Sequence, residues 1–216
     1  MSFEHANAVT SFNSIISGRI KVSDCSQVTD GAVTVFMASE KYAAKYAQRN
    51  NIILKEIPTV LGWGHTTAPL LFTEKISKSK SDPYILPLTR KAIEDAFKRA
   101  DIRNCWELDA IETHDCFTTT EYMAIDHFGL TEPGMSWKAI EDRVVYLGGK
   151  LPINPSGGLI GCGHPVGATG ARQILDAYKQ VTNNAGAYQV EGAKKVATLN
   201  IGGTATTNVC FIIGFL

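Results

Sequence analysis

Asn154-Pro155-Ser156-Gly157-Gly158-Leu159-Ile160-Gly161-Cys162-Gly163-His164-Pro165-Val166-Gly167-Ala168-Thr169-Gly170 places six glycines, one thiol and one imidazole within seventeen residues. Glycine admits left-handed backbone and the close approach of a ligand, while Pro165 fixes the direction in which the His164 ring is presented. The segment reads as an active-site loop. Outward from it, Gly167 to Val181 has helical spacing, and Lys195 to Ile201 and Asn208 to Ile213 read as apolar strands. Upstream, Leu108 to Glu112 reads as a strand running into His114-Asp115-Cys116, and Thr119 to Phe128 as a helix ended by Gly129. Leu88 to Ala100 sets Ala92, Ile93, Ala96, Phe97 and Ala100 on one helical face. Strands alternating with helices define an α/β layered domain.

Nearer the start, Ala32 to Ala38 is an apolar, partly β-branched run that predicts a buried strand, followed by a helix from Glu40 to Gln48. Ile52 to Leu61 reads as extended, with Pro58 marking an edge strand or a bulge. Trp63 to Asp82 shows no clear period and reads as a loop able to close over a ligand. Glu132 to Lys150 reads as irregular, with one short helix.

The 216 residues suffice for one large domain, or one domain with a partial neighbour. Lysines and arginines number 21 and acidic residues 21, so there is no basic stripe for nucleic acid. No apolar run is long enough to span a membrane, and residues 1–20 lack the pattern of a secretory signal. Five scattered cysteines fit a reducing compartment better than a disulfide framework, and the final Gly214-Phe215-Leu216 is not a peroxisomal address. These features predict a cytoplasmic protein.

The glycine loop closely resembles the Gly-His-Pro signature of thiolases, which make or break carbon–carbon bonds between acyl-CoA units. Glu112-Thr113-His114-Asp115-Cys116-Phe117 resembles the His-Asp-Cys-Phe loop of the branch related to the sterol-carrier-protein thiolases, where most other thiolases carry Asn-Glu-Ala-Phe. Leu199-Asn200-Ile201-Gly202-Gly203-Thr204 is similar to the family's Cys-x-Gly-Gly loop, with Asn200 where the acid/base cysteine usually stands. The resemblance implies that Cys116 supplies that thiol instead.

The same resemblance implies an α/β fold like the C-terminal thiolase half: a mixed five-stranded sheet with helices on both faces, spanning residues 51–216. Residues 1–50 would be a remnant of the N-terminal half, comprising its last strand and the following helix, because Asp24-Cys25-Ser26-Gln27-Val28-Thr29-Asp30-Gly31-Ala32 resembles the return into that strand. The nucleophilic cysteine belongs to the part of the N-terminal half upstream of that return, so Cys25 is not it. Acyl-CoA and coenzyme A are the implied substrates, with no metal or redox cofactor. His164 would activate the nucleophile and donate to an oxyanion, His114 would donate directly or through water, the Gly202 amide would serve a second oxyanion pocket, and Cys116 would carry the proton. The chain alone is expected to be inactive, to need the N-terminal half as a partner, and to form homo-oligomers.

Each residue also has a plainer reading. Cys105 and Cys210 read as core, Cys162 as a wall of the site, and His65 as structural. His127 reads as an imidazolium capping its helix end. Asp115 would orient an imidazole or satisfy loop amides, with Asn154 and Ser156 as braces. Cys116, just before a helix, is expected to have a lowered thiol pKa. Other function classes remain open. A non-catalytic partner subunit is one. A zinc-binding module using His114, Cys116, Cys162 and His164 is another, although one-residue gaps suit a tetrahedron poorly. Gly161-x-Gly163-x-x-x-Gly167 misses the dinucleotide spacing.

Overall fold

The computed structural model describes residues 2–216. In chain order the elements are α1 (Phe3–Asn7), β1 (Ile15–Ser17), β2 (Ile20–Lys21), α2 (Glu40–Asn50), β3 (Thr59–Thr67), α3 (Phe72–Ser79), α4 (Pro87–Arg99), β4 (Ala110–Thr113), α5 (Thr118–Phe128), α6 (Ser136–Glu141), α7 (Gly158–Cys162), α8 (Thr169–Val181), β5 (Lys195–Gly202) and β6 (Thr207–Gly214). The main sheet has the order β3-β6-β5-β4, with β4 and β5 parallel and the other pairs antiparallel. β1 and β2 form a separate antiparallel pair.

Period-two alternation gives the sheet two apolar faces. Ile111, Ala197, Leu199, Cys210 and Ile212 pack with Ile93 and Phe97 of α4 and with Ile125 and Phe128 of α5. The intervening residues Ala110, Val196 and Ile213 pack with Ala177 and Val181 of α8. Helices therefore cover both faces, and each fully buried Leu, Ile or Phe contributes about 1.5–3 kcal/mol. Cys105 and Cys210 lie in the core, as expected.

α4 starts with Pro87, whose missing amide is no loss at a first helical position. It then lies directly on β3, because that strand carries glycine where the two meet. A Cβ at Gly64 would sit 1.8 Å from the Ala92 carbonyl oxygen, and one at Gly62 would sit 2.2 Å from that of Ala96. β3 is an edge strand with an irregularity between Val60 and Gly62, in keeping with the Pro58 signal.

Three expectations need correction. The main sheet has four strands, not five. At the free edge of β4 a single bridge pairs Ile111 with Ile153, through Ile111 N to Pro152 O (3.0 Å) and Asn154 N to Ile111 O (2.7 Å). Asn154 then turns left-handed (φ 50°) and ends the pairing. Residues 32–38 are not a buried strand: no strand among the described residues lies beside them, and Phe36 is 94% exposed. An extended run needs a neighbour to satisfy its amides and carbonyls. Trp63 to Asp82 is not a loop either, since β3 continues to Thr67 and α3 occupies Phe72–Ser79. Glycines hide the alternation of β3, and the one buried residue of α3 is a lysine, Lys75, so neither period shows in the apolar residues.

Candidate active site

Because β4 and β5 run parallel, their C-terminal ends open on the same edge of the sheet, where α/β folds bind ligands. His114-Asp115-Cys116 follows β4, and Gly202 ends β5. The glycine loop is fastened to the end of β4 by side chains. Thr113 N donates to Asn154 Oδ1 (2.7 Å), and Ser156 donates to Glu112 from both its amide (3.1 Å) and its hydroxyl (2.7 Å). Asp115 accepts from the amides of Leu159 (2.6 Å) and Ile160 (3.4 Å), capping α7. This cap requires Gly158, which is left-handed (φ 61°) and whose added Cβ would lie 2.3 Å from Asp115 Oδ2. Asp115 thus satisfies loop amides, one of its two expected roles, and Asn154 and Ser156 are braces.

The main chain of His164 is held by the N-terminal segment: its amide donates to Gln27 O (2.8 Å), and Thr29 N donates to its carbonyl (3.3 Å). Its ring Nδ1 lies 2.7 Å from Thr169 Oγ1, and that hydroxyl donates to Pro165 O (3.2 Å). With its only proton so used, the hydroxyl accepts from Nδ1–H, which leaves Nε2 free. Burial pushes the His164 pKa down against the pull of Asp115, and Arg172 pushes it the same way as burial.

His114 is 6% exposed, and its Nδ1 has no hydrogen-bond partner among the described residues. Its ring meets that of His164 edge to face, with centroids 5.0 Å apart and planes at 85°. Burial, then the neighbouring His164, lower the His114 pKa to about 4. Both imidazoles are therefore shifted toward the neutral form.

Cys116 is half-buried, with Sγ 3.6 Å from Thr120 Oγ1. Its pKa is raised by burial, against the expectation of a lowered one. The contacts with Thr120 and the Phe117 amide at the start of α5 pull the other way, but lost hydration outweighs them. Ser26 N donates to Cys116 O (2.9 Å), and Cys25 bridges to Phe117, so Cys25 is a neighbour of this loop. Its thiol is also pushed up, first by burial and then by Asp24.

Gly202 is exposed opposite Thr207. Asn200 turns its amide to Gln173 Oε1 of α8 (3.1 Å). Cys162 is exposed and its thiol donates to Ser156 O (2.9 Å), which makes it a brace of the loop as well as its wall. Among the described residues, no three His, Cys, Asp or Glu side chains converge to hold a metal ion, so His114, Cys116, Cys162 and His164 do not form a ligand set. His65 is exposed on β3. His127 is no imidazolium cap: it is buried, its pKa is lowered by burial, and its Nε2 accepts from Leu86 N (3.1 Å).

Sequence reasoning missed the carboxylates and the guanidinium beneath the loop. Glu112 is fully buried, and burial pushes its pKa up to about 8. Glu121 is pushed to about 7 by burial and then by Asp115. Arg172 donates to Gly158 O (2.8 Å), Gly163 O (3.4 Å) and Ser156 Oγ (3.4 Å), and pairs with Asp176 (3.2 Å). One signal was available: Glu112 is the lone charged residue of a short strand that begins Ala110-Ile111.

Residues 72–215 match the family model described as thiolase C-terminal domain-like. The chain belongs to this family. It is 33% identical over 195 residues to an acetyl-CoA acetyltransferase of Methanothermobacter thermautotrophicus, covering 90% of this chain and 48% of that protein. It is 33% identical over 197 residues to sterol carrier protein 2 of Gallus gallus, covering 91% of this chain and 35% of that protein. The crystal structure of the Bacillus anthracis acetyl-CoA acetyltransferase shares the fold, with a TM-score of 0.59 at 18% identity over 92% of this chain and 39% of that one. The chain thus spans about half, or less, of the length of these relatives. No helix among the described residues is long and apolar enough to cross a membrane.

Proposed function

We propose that this chain is the C-terminal portion of a thiolase-type acyl-CoA acyltransferase. In this reading it contributes oxyanion-binding and acid/base groups to a nucleophilic cysteine outside the chain. The observation that carries the reading is the perpendicular pair of weakly basic imidazoles, with His114 in the same post-β4 loop as Cys116 and His164 brought to it by the glycine loop.

In thiolysis, Nε2 of His164 takes the proton of the nucleophilic thiol, and the thiolate adds to the 3-oxo carbon of 3-oxoacyl-CoA. The new Nε2–H and the His114 ring then stabilise the oxyanion, and an unpaired buried ring nitrogen such as His114 Nδ1 is suited to a water or ligand atom. When the carbon–carbon bond breaks, the acetyl-CoA carbanion takes the proton of the Cys116 thiol, with the Gly202 amide at the thioester oxygen. A raised thiol pKa supports this order, since the resting thiol keeps the proton it must deliver. The Cys116 thiolate recovers a proton from incoming coenzyme A, whose sulfur then takes the acyl group from the nucleophile, and the released nucleophile thiolate regains its proton from His164 Nε2. No metal or redox cofactor enters this balance. Run backwards, the same steps give a Claisen condensation.

The exposed Val28, Phe36 and Met37 support a face that packs on the missing half or on another copy of the chain. Five free thiols suit the reducing cytoplasm. The test is acyl trapping. The chain, mixed with a separately expressed cysteine-bearing half and quenched after acetoacetyl-CoA, should leave the acetyl group on the added half. An acetyl group on Cys25, Cys116 or Cys162 would overturn the reading.

A further inference from the structure

The turn joining β5 to β6 has three consecutive left-handed residues: Gly203 (φ 56°), Thr204 (φ 56°) and Ala205 (φ 61°). Only the first is glycine, and each side-chain-bearing residue in this conformation costs about 1–2 kcal/mol. Something must hold the turn. Successive residues of one helical hand send their carbonyls the same way, and on that side stands Lys75 of α3. Its Nζ donates to Thr204 O (2.5 Å), Gly203 O (3.5 Å) and Thr206 Oγ1 (3.0 Å).

Lys75 is 7% exposed and pairs with no carboxylate among the described residues. A buried ammonium without an acid partner is costly, and an apolar side chain would fill the same space more cheaply. The three oxygens of the turn are its compensation. A cation on the carbonyl side also polarises those peptide units and strengthens their amides as donors. The turn's other ties are Thr206 N and Oγ1 to Gly203 O (3.1 and 2.6 Å), Ala68 N to Thr206 O (2.7 Å) and Asn208 Nδ2 to Ala205 O (3.2 Å); none of these reaches Thr204 O, which Lys75 holds.

We propose that Lys75 is a positioning residue that locks the Gly202–Thr206 turn in its left-handed form and thereby aims the Gly202 amide. Its value to catalysis rests on the role of Gly202 given above. The test is Lys75→Met, which keeps the stem and removes the charge and the donors. In amide NMR spectra of the 216-residue chain, residues 202–206 should shift and lose protection from hydrogen exchange, while β4 stays unchanged. Mixed with the cysteine-bearing half, the variant should hold KM for acetoacetyl-CoA within about threefold and lose kcat by about tenfold or more.

Turn amides that stay in place would overturn the assignment of Lys75. Turn amides that move while kcat holds would support its grip on the turn and instead remove Gly202 from the mechanism, so the two failures are distinguishable. Should the variant not fold, the unmodified chain decides. The ammonium protons of Lys75 should exchange slowly and show contacts to Thr206, whereas exchange at the rate of a solvent-exposed lysine would overturn the proposal.

Discussion

The rings of His114 and His164 meet edge to face at 5.0 Å, although fifty residues separate them in sequence. They are brought together because Asp115, next to one, caps the short helix α7 that leads to the other. Both rings are held toward neutrality by burial, and His114 has a pKa of about 4. Titration by NMR should therefore find His114 uncharged at every pH above about 5. His164→Ala should lower kcat of the reconstituted enzyme by about 10²–10⁴-fold, the range for loss of a general base. His114→Asn, which keeps a donor, should cost less.

Cys116 should behave as a protonated thiol. Its pKa is raised, so its thiolate fraction at neutral pH is below that of a free cysteine, and alkylation should speed up about tenfold per pH unit through pH 8. Exposed Cys162 should be modified first. Peptide mapping after a short iodoacetamide pulse reads both. In the reconstituted enzyme, Cys116→Ala should slow acylation of the nucleophile by acetoacetyl-CoA and abolish proton exchange at the methyl group of acetyl-CoA.

Glu112 predicts a pH-dependent stability. Its folded pKa of about 8 lies above its ordinary 4.5, so the folded state holds a proton that the unfolded chain releases. That contribution is complete below pH 4.5 and is lost as pH rises toward 8. Glu112→Gln keeps an acceptor for the Ser156 amide and cannot ionise. It should flatten the decline, leaving the variant more stable than the parent at pH 8 and no more stable at pH 5. Denaturant midpoints at the two pH values check this.

Gly158→Ala should break the junction between the two histidine loops. Its Cβ would meet the Asp115 carboxylate at 2.3 Å in a left-handed backbone, so the Asp115 cap or the turn must give way. A loss of about 1–3 kcal/mol is expected. Thermal unfolding measures it, and the His114 and His164 ring resonances should shift with it.

Much of this was legible in the sequence because strong local rules applied. The spacing of Ala92, Ile93, Ala96 and Phe97, the Gly129 stop and the apolar runs at β5 and β6 became the elements they suggest. His164 stood out through glycine density around an imidazole and a thiol, whereas His114, Cys116 and Gly202 were singled out by the resemblance of their loops to those of thiolases. What stayed hidden depends on partners distant in sequence. The run at residues 32–38 has strand composition but no neighbour, α3 buries a lysine rather than an apolar stripe, and the thiol pKa of Cys116 is decided by burial. The frame of Glu112, Arg172 and Lys75 exists only once the loops have met.

The proposed placement of the nucleophile outside this chain is tested by thiolysis of acetoacetyl-CoA under three conditions. These are the 216-residue chain alone, a cysteine-bearing N-terminal half alone, and the two together. Turnover only in the mixture, lost again with His164→Ala, is the predicted result. Turnover by the chain alone would contradict the account and move the nucleophile to one of its own cysteines.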